Sequence, residues 1–98
     1  LTGSAGVNAT GNALNNLLHG NAGSNVLDGL AGTDTVSYAG VAAKVTVSLS
    51  IATAQNTGAG SDTLLHIENL VGGSAGDSLT GSAGANVLDG GAGADTLR

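Results

Sequence analysis

Apolar and polar positions recur with a period of nine along most of this chain. Successive rows that start at Gly72, Gly81 and Gly90 read GGSAGDSLT, GSAGANVLD and GGAGADTLR. Each row has glycine at position 1, Asp or Asn at position 6 and Leu at position 8. Because glycine permits left-handed and closely packed backbone, positions 1 to 6 predict a turn. Positions 7 to 9 predict a short strand in which only position 8 points inward.

Earlier rows follow the same pattern. Residues 11–19, 20–28 and 29–37 read GNALNNLLH, GNAGSNVLD and GLAGTDTVS, and residues 57–65, TGAGSDTLL, are a variant of it. Two rows make one coil of 18 residues, so alternate rows are predicted to stack. Residues 3–10 form a row that is one residue short, which leaves its register open. The predicted inward residues, one per row, are Leu18, Leu27, Val36, Leu64, Leu79, Leu88 and Leu97.

The middle of the chain departs from the repeat. Residues 44–49, KVTVSL, alternate apolar and polar positions and predict a longer strand with Val45, Val47 and Leu49 inward. We expect residues 50–56 to bulge out and residues 66–70, HIENL, to form a shortened turn.

These interruptions suggest three parts: first roll repeats in 1–37, an irregular linking coil with a longer strand in 38–56, and second roll repeats in 57–98. The alternative is one continuous stack through the whole chain. The pattern is already running at both ends, so neighbouring repeats of a longer chain are the expected partners there.

Composition favours a thin core. Among 98 residues there are 18 glycines and no Phe, Trp, Met, Cys or Pro, and Tyr38 is the single aromatic residue. Aromatic side chains normally supply much of a globular core, so small aliphatic residues repeated along an axis are the better explanation. The missing cysteines exclude disulfides and cysteine-based zinc sites.

The formal net charge of −5, from seven acidic against two basic residues, narrows the choice of partner. Nucleic acid and anionic membrane surfaces need clustered Lys and Arg, so the net charge argues against both as partners. No apolar run approaches the roughly 20 residues that a membrane-spanning helix requires. An acidic excess suits a cation.

The full pattern G-G-x-G-x-D-x-U-x, where U is a large apolar residue, occurs in residues 90–98. The chain therefore resembles the RTX, or hemolysin-type, calcium-binding repeats of Gram-negative secreted proteins, over most of its length. The resemblance implies an all-β fold: a parallel β-roll (a right-handed β-solenoid) with two short strands per coil and, here, an irregular central coil. It also implies calcium in the turns, type I secretion and an extracellular or cell-surface location.

Position 6 supplies the candidate ligands of Ca²⁺, which takes six to eight oxygens from carboxylates, backbone carbonyls and water. Counting two rows per coil predicts one turn edge with Asn16, Asp34, Asp62, Asp77 and Asp95. The opposite edge is then predicted to carry Asn25, residues 38–43, residues 66–68 with Glu68, and Asn86. We expect that opposite edge to hold no metal.

The best predicted site lies between Asp77 and Asp95, which are 18 residues apart. Asp62 with Asp77 is the next candidate, and Asp34 forms weaker pairs. Carbonyl groups, or space for them, would come from Gly72, Gly73, Gly90, Gly91 and Gly93. The alternative is that these aspartates merely cap turns. Stacked carboxylates repel one another without a cation, however, which predicts folding coupled to calcium binding.

Asp28 and Asp89, at position 9, are predicted to be solvated surface residues. Val26 and Val87 at position 7, with Val71 nearby, are predicted to form one outward apolar strip, which is a candidate contact face. The alternative is that β-branched residues simply suit strands.

The stretch GDSL, residues 76–79, resembles the signature of GDSL hydrolases, with Ser78 as nucleophile. A serine nucleophile needs a histidine base, but His19 and His66 belong to other coils or the opposite edge. That family's C-terminal D-x-x-H is also missing, since the chain ends Asp95-Thr96-Leu97-Arg98. We therefore predict that the chain is not an enzyme.

The sequence thus predicts a calcium-binding β-roll module of a secreted or cell-surface bacterial protein, which folds on Ca²⁺ binding after export. The alternative is a passive structural or adhesive repeat segment, held by its Gly/Asn turns and leucine ladder, with incidental metal binding.

Overall fold

The structure, a computed structural model, describes residues 8–21, 23–58 and 60–98, and within them it is all-β with no helix. Most of the short row predicted in residues 3–10 lies outside the described residues. The strands are β1 (Ala9–Thr10), β2 (Leu17–His19), β3 (Val26–Asp28), β4 (Thr35–Ser37), β5 (Thr46–Ser48), β6 (Gln55–Asn56), β7 (Ser61–Leu65), β8 (Asn69–Val71), β9 (Ser78–Thr80), β10 (Val87–Asp89) and β11 (Thr96–Leu97). These ranges contain no helix that is long and apolar enough to cross a membrane.

The strands form two faces. One face, called the second face, is a parallel sheet in the order β10-β8-β4-β2. The opposite face, called the first face, contains the sheet β1-β3-β7-β6 and the sheet β11-β9-β5. In the second face Val36 aligns with Leu18 on one side and Leu70 on the other, so position 8 of each row stacks on position 8 of the next. This is the parallel β-roll that the resemblance to hemolysin-type repeats implies, with alternate rows stacked as the nine-residue period predicts.

The core lies between the faces and consists mainly of position-8 side chains. Leu27, Val36, Leu64 and Leu79 are buried, as predicted, and Leu18 and Leu88 pack against them. Leu97 is 47% exposed, because β11 is the outermost strand of its sheet. Burying one aliphatic side chain contributes about 1.5–3 kcal/mol, so a single leucine or valine per row gives each coil a modest stabilisation.

The central segment adds two strands to the first face. After β4 the chain forms β5, which pairs in parallel with β9. It then returns through β6, which pairs antiparallel with β7, while β7 pairs in parallel with β3. The predicted bulge at residues 50–56 therefore ends in a strand. The Thr46 N–H donates to the Thr57 carbonyl at 2.9 Å, which places β6 beside β5.

This hairpin changes which residues share an edge. We call the turns that lead into the first face the first edge, and those that lead into the second face the second edge. Counting rows predicted Asp34 and Asp62 on one edge, and this was wrong. A hairpin reverses the chain within a sheet without crossing the roll, so β7 stays on the first face. Asp62 consequently stacks on Asn25, and Asp34 stacks on Asn16.

The same hairpin places the residues of the predicted valine strip on different faces. Val26 lies in β3 on the first face, whereas Val71 and Val87 lie in β8 and β10 on the second face. The prediction of one strip with all three members was therefore wrong. Val87 is the most exposed of the three, at 64%.

The two predicted rolls share a sheet, because β4 from the first pairs with β8 from the second. The division of the chain into three parts, with boundaries after residues 37 and 56, stays a prediction.

Candidate metal site

The aspartates at position 6 link their turns to the neighbouring coil. One carboxylate oxygen accepts a backbone N–H from the position-6 residue, or its equivalent, in the adjacent turn. This satisfies an amide that no strand pairing reaches. The aspartate cases, at 2.7–2.9 Å, are Asp34 with Asn16 N, Asp62 with Asn25 N, Asp77 with Val45 N and Asp95 with Asp77 N.

Glycine at position 1 is required by this arrangement. A Cβ atom on Gly72 would lie 2.5 Å from Asp77 Oδ2, and one on Gly29 would lie 2.5 Å from Asp34 Oδ2. On Gly90 a Cβ would likewise collide with Asp95 Oδ2. The carboxylate therefore occupies the space that a side chain at position 1 would need, which explains why Gly and Asp recur five residues apart.

The turns adopt two conformations. In the first, which we call closed, the N–H of position 2 donates to the side chain at position 6 of the same turn. Gly73 N donates to Asp77 Oδ2 at 2.8 Å, and Ser82 N donates to Asn86 Oδ1 at 2.8 Å. The closed turns are residues 11–16, 72–77 and 81–86 and the turn between Gly20 and Asn25, in which Asn21 N donates to Asn25 Oδ1.

In the second conformation, which we call open, position 2 turns away from position 6. Leu30 N donates to Asp28 Oδ1 and Gly91 N donates to Asp89 Oδ1, each at 3.0 Å. Leu30 and Gly91 have positive φ angles of 62° and 71°. Two turns that the structure describes in full are open, residues 29–34 and 90–95, and in both the position-6 aspartate loses the N–H of its own turn.

Asp28 and Asp89 therefore each accept the position-2 N–H of the open turn that follows, a contact that the expectation of plain solvated surface missed. The signal was present in the sequence. Residues 28–34 and 89–95 share the pattern D-G-x-A-G-x-D, whereas Thr10, His19, Val71 and Thr80 precede the closed turns. An aspartate one residue before the glycine thus accompanies both of these open turns.

The structure brings Asp77 and Asp95 together, with the five predicted glycines around them. The turn of residues 90–95 lies directly on that of residues 72–77. A Cβ on Gly91 would lie 2.8 Å from the Gly73 oxygen, and one on Gly72 would lie 2.7 Å from the Gly90 oxygen. Gly93, with φ 93°, packs on the Ala75 carbonyl in the same way. Carbonyl and carboxylate oxygens thus crowd the space between these two turns.

Asp62 lies in a different environment. Its carboxylate is wholly buried and accepts the hydroxyl groups of Tyr38 at 3.1 Å and Thr57 at 3.2 Å, besides the Asn25 N–H. Burial raises the pKa of Asp62, and these hydrogen bonds lower it by less. Protein donors therefore satisfy Asp62 and tie the central segment to β7.

The predicted pairs of Asp62 with Asp77 and of Asp34 with Asp62 are not brought together. Asp77 Oδ1 reaches Val45 N, so β5 stands between Asp77 and Asp62. Asp34 lies on the second edge, where Asn16 precedes it and Glu68 follows it in the stack.

Oxygen donors in stacked turns are the ligands that Ca²⁺ prefers, and the carboxylates of Asp77 and Asp95 give the site its negative charge. Within the described ranges no group of three or more His, Cys, Asp or Glu side chains surrounds a common point. A cation between Asp77 and Asp95 would therefore take backbone carbonyls for much of its coordination, as glycine-rich turns allow.

Comparison with known families agrees with this geometry. The family model of the RTX calcium-binding nonapeptide repeat matches residues 10–40 and 67–98, in four copies. No curated protein matches the chain. The matched segments contain both open turns and both members of the Asp77–Asp95 pair. Since these segments make up more than half of the sequence, the chain belongs to the RTX calcium-binding nonapeptide repeat family.

Proposed function

We propose that this chain is a calcium-binding β-roll module whose principal site is the interface between the turns of Asp77 and Asp95. One observation carries the proposal. Asp95 sits in an open turn that its own backbone does not close, and that turn stacks on the turn of Asp77 with carbonyl oxygens between them. Bound calcium would supply positive charge and demand several oxygens at this interface. Asp77, Asp95 and the carbonyls beside Gly72, Gly73 and Gly91 would hold it.

Charge supports a link between binding and folding. The chain carries a net charge of −5. The ion pair found within the described residues joins His66 to Asp28 and leaves Asp77 and Asp95 without a basic partner. Stacking these two carboxylates costs electrostatic energy that a divalent cation offsets. Folding of the module should therefore depend on calcium.

This dependence fits a protein that works outside the cell. RTX repeats are typical of secreted bacterial proteins, and calcium modules of the extracellular kind bind at roughly 10⁻⁴–10⁻³ M. Such sites stay empty at cytoplasmic calcium levels. We propose an extracellular or cell-surface location, export in an unfolded state, and neighbouring repeats of the parent chain as partners at the sheet ends.

We propose no catalytic role for this module. Ser78 lies in β9, where it is paired in register with Thr46 and Thr96 of the neighbouring strands. His66 is engaged by Asp28, with 2.8 Å between His66 Nδ1 and Asp28 Oδ1. The GDSL stretch is thus a turn aspartate followed by an ordinary strand.

The test is calcium titration of the chain, followed by far-ultraviolet circular dichroism and isothermal titration calorimetry. We expect loss of β-structure in chelator and its recovery at millimolar Ca²⁺, and a much weaker response in the double variant Asp77→Asn/Asp95→Asn. Full β-structure in chelator, with no heat of calcium binding, would overturn the proposal. If the double variant regains β-structure at the same calcium concentration as wild type, the chain binds calcium, but at a place other than Asp77 and Asp95.

One observation favours a passive structural repeat as the second candidate. In a closed turn the side chain at position 6 can satisfy both its own turn and the neighbouring coil without a cation: Asn86 Oδ1 accepts the Ser82 N–H, and Asn86 Nδ2 donates to the Glu68 carbonyl. If such turns dominate stability, the β-structure persists in chelator and calcium adds only local order. The same titration separates the two candidates.

A further inference from the structure

The regular stacking of turns is interrupted where the chain leaves β2 and β4. These strands are neighbours in the second face, with His19 in register with Ser37. The strands that follow them, β3 and β5, are not neighbours, because β7 and β6 lie between them in the first face. The turn that follows His19 and the loop that follows Ser37 therefore diverge, whereas the turns of residues 72–77 and 90–95 pack directly on each other.

A cavity of about 430 Å³ lies in the gap between the diverging segments. Its walls are the end of β2, the loop of residues 37–43 and Gly58 in the connection from β6 to β7. A Cβ on Gly58 would collide with the Lys44 carbonyl, so the hairpin already approaches this part of the chain closely and still leaves the gap open. Ligand sites commonly enclose about 300–1,000 Å³, and a cavity near the lower end of that range suits a small molecule.

The loop that forms most of the wall is fixed by the rest of the roll. Tyr38 N donates to the Val71 carbonyl at 2.8 Å, and Val41 N donates to the Tyr38 carbonyl at 3.0 Å. The Val41 carbonyl in turn accepts the Ser74 N–H at 3.3 Å. The Tyr38 side chain is buried and its hydroxyl donates to Asp62. The wall is thus formed before any ligand arrives, which lowers the entropic cost of binding.

The polar groups of this wall include both hydrogen-bond donors and acceptors. Ser37 is 6% exposed, and its Oγ accepts the Ala39 N–H at 3.1 Å, but its own proton has no acceptor among the described residues. An unpaired buried donor is unfavourable unless a ligand or water accepts from it. The loop backbone adds N–H and carbonyl groups that pair with no protein group in the described ranges, in Gly40, Ala42 and Ala43.

The rest of the lining is apolar and carries little charge. Val41 packs against the hydrophobic core, and the small side chains of Ala39 and Ala42 lie beside it in the lining. None of the described residues that line the cavity is Asp, Glu, Lys or Arg, although the chain has seven acidic residues. An apolar surface with a few polar groups is typical of a site for a neutral small molecule.

We propose that this cavity binds a neutral sugar unit of the hexopyranose type. Each sugar hydroxyl both donates and accepts, which matches a wall with unpaired N–H and carbonyl groups together. The Ser37 hydroxyl would donate to one of these oxygens, and the C–H face of the ring would lie on Val41 and the alanines. The cavity is separate from the turns of Asp77 and Asp95, so the inference goes beyond calcium binding.

The test is an NMR titration of the full chain at saturating calcium, followed through backbone amide shifts. The probes are the methyl glycosides of D-glucose, D-galactose and D-mannose, which mimic a terminal sugar of a glycan, and the corresponding free hexoses. Sodium glucuronate is the charged comparison. We expect saturable shifts centred on residues 37–43 from at least one neutral probe, with a Kd of about 1 mM, as a ligand of this size allows.

The shift map of the wild-type chain decides the proposal even if a variant fails to fold. No saturable shift with any neutral probe, or shifts centred on another part of the roll, would overturn it. Tighter binding of glucuronate than of the neutral sugars would overturn it as well. A chain that folds with calcium but binds no sugar would leave the proposed function standing.

Two variants test the assignment to this cavity. Ala42→Leu fills the cavity from an exposed loop position and should abolish the shifts, whereas Ala83→Leu, the same change in the exposed turn of residues 81–86, should leave the affinity unchanged. Ser37→Ala removes the donor and should weaken binding about fivefold. Circular dichroism in calcium checks the fold of each variant. Equal affinity in Ala42→Leu and wild type would overturn the site.

Discussion

Asp95 accepts the backbone N–H of Asp77 through Oδ1, at 2.8 Å, and so joins two turns that lie one coil apart. An asparagine at this place keeps the acceptor and removes the charge. Hydrogen bonding and cation binding can therefore be separated at a single position.

Asp95→Asn should weaken calcium binding about tenfold or more, so that β-structure forms only at a higher calcium concentration, because the amide keeps the hydrogen bond to the Asp77 N–H but removes a charged ligand. Isothermal titration calorimetry measures the affinity, and circular dichroism over a calcium titration measures the concentration at which the chain folds. Equal calcium affinity in variant and wild type would contradict the assignment of Asp95 as a ligand.

Tyr38→Phe should destabilise the folded chain at saturating calcium. The change removes the hydroxyl that donates to buried Asp62 Oδ2, and leaving a buried acceptor short of a donor costs about 1–3 kcal/mol. Urea denaturation at saturating calcium measures the free energy of unfolding. Ser82→Ala, which removes an exposed hydroxyl, is the control and should change it little. Equal free energies of unfolding in Tyr38→Phe and wild type would show that the hydroxyl does not satisfy Asp62 in solution.

Asp62 should titrate above its ordinary pKa of 3.8, because burial raises its pKa more than the hydrogen bonds from Asn25 and Tyr38 lower it. A raised pKa in the folded state means that the contribution of Asp62 to stability is full below pH 3.8 and is lost as the pH rises through the folded pKa. Carbon-13 NMR of the Asp62 carboxyl measures the midpoint. A midpoint at or below 3.8 would show that the hydrogen bonds outweigh burial.

His66 should titrate above 6.5, since the hydrogen bond to Asp28, and then its charge, raise the pKa of His66. The same contact lowers the pKa of Asp28 below 3.8. The His66 part of this stabilisation is present below pH 6.5 and is lost as the pH rises through the folded His66 pKa, and the Asp28 part is lost as the pH falls through the folded Asp28 pKa.

NMR titration of the His66 ring tests this pair. Asp28→Asn should return the His66 midpoint towards 6.5, whereas Asp89→Asn, the equivalent change in the other open turn, should leave it in place. A midpoint insensitive to Asp28→Asn would mean that the contact does not form in solution.

Gly93→Ala should destabilise the roll more than Gly40→Ala does. Both glycines have left-handed φ angles, 93° and 88°, so an alanine costs about 1–2 kcal/mol at either place. At Gly93 the new Cβ would also collide with the Ala75 carbonyl, whereas nothing lies within 4 Å at Gly40. Thermal melts compare the two. Equal losses would show that the turns of residues 72–77 and 90–95 are not stacked closely.

The repeat itself could be predicted from sequence because its determinants are local. Glycine at position 1 and Asp or Asn at position 6 specify a turn, and one aliphatic residue at position 8 specifies the inward side of a three-residue strand. Leu27, Val36 and Leu79 are buried as this pattern predicts. The pairing of Asp77 with Asp95 followed as well, since no interruption lies between them.

The sequence by itself thus determined the regular turns and three-residue strands, most of their inward positions and the Asp77–Asp95 stack. Tertiary structure decided which edge each remaining carboxylate joins. The hairpin of β6 and β7 keeps the chain on one face, so Asp34 meets Glu68 rather than Asp62. No local pattern encodes that choice, because a nine-residue row looks the same on either face and only long-range strand pairing places it.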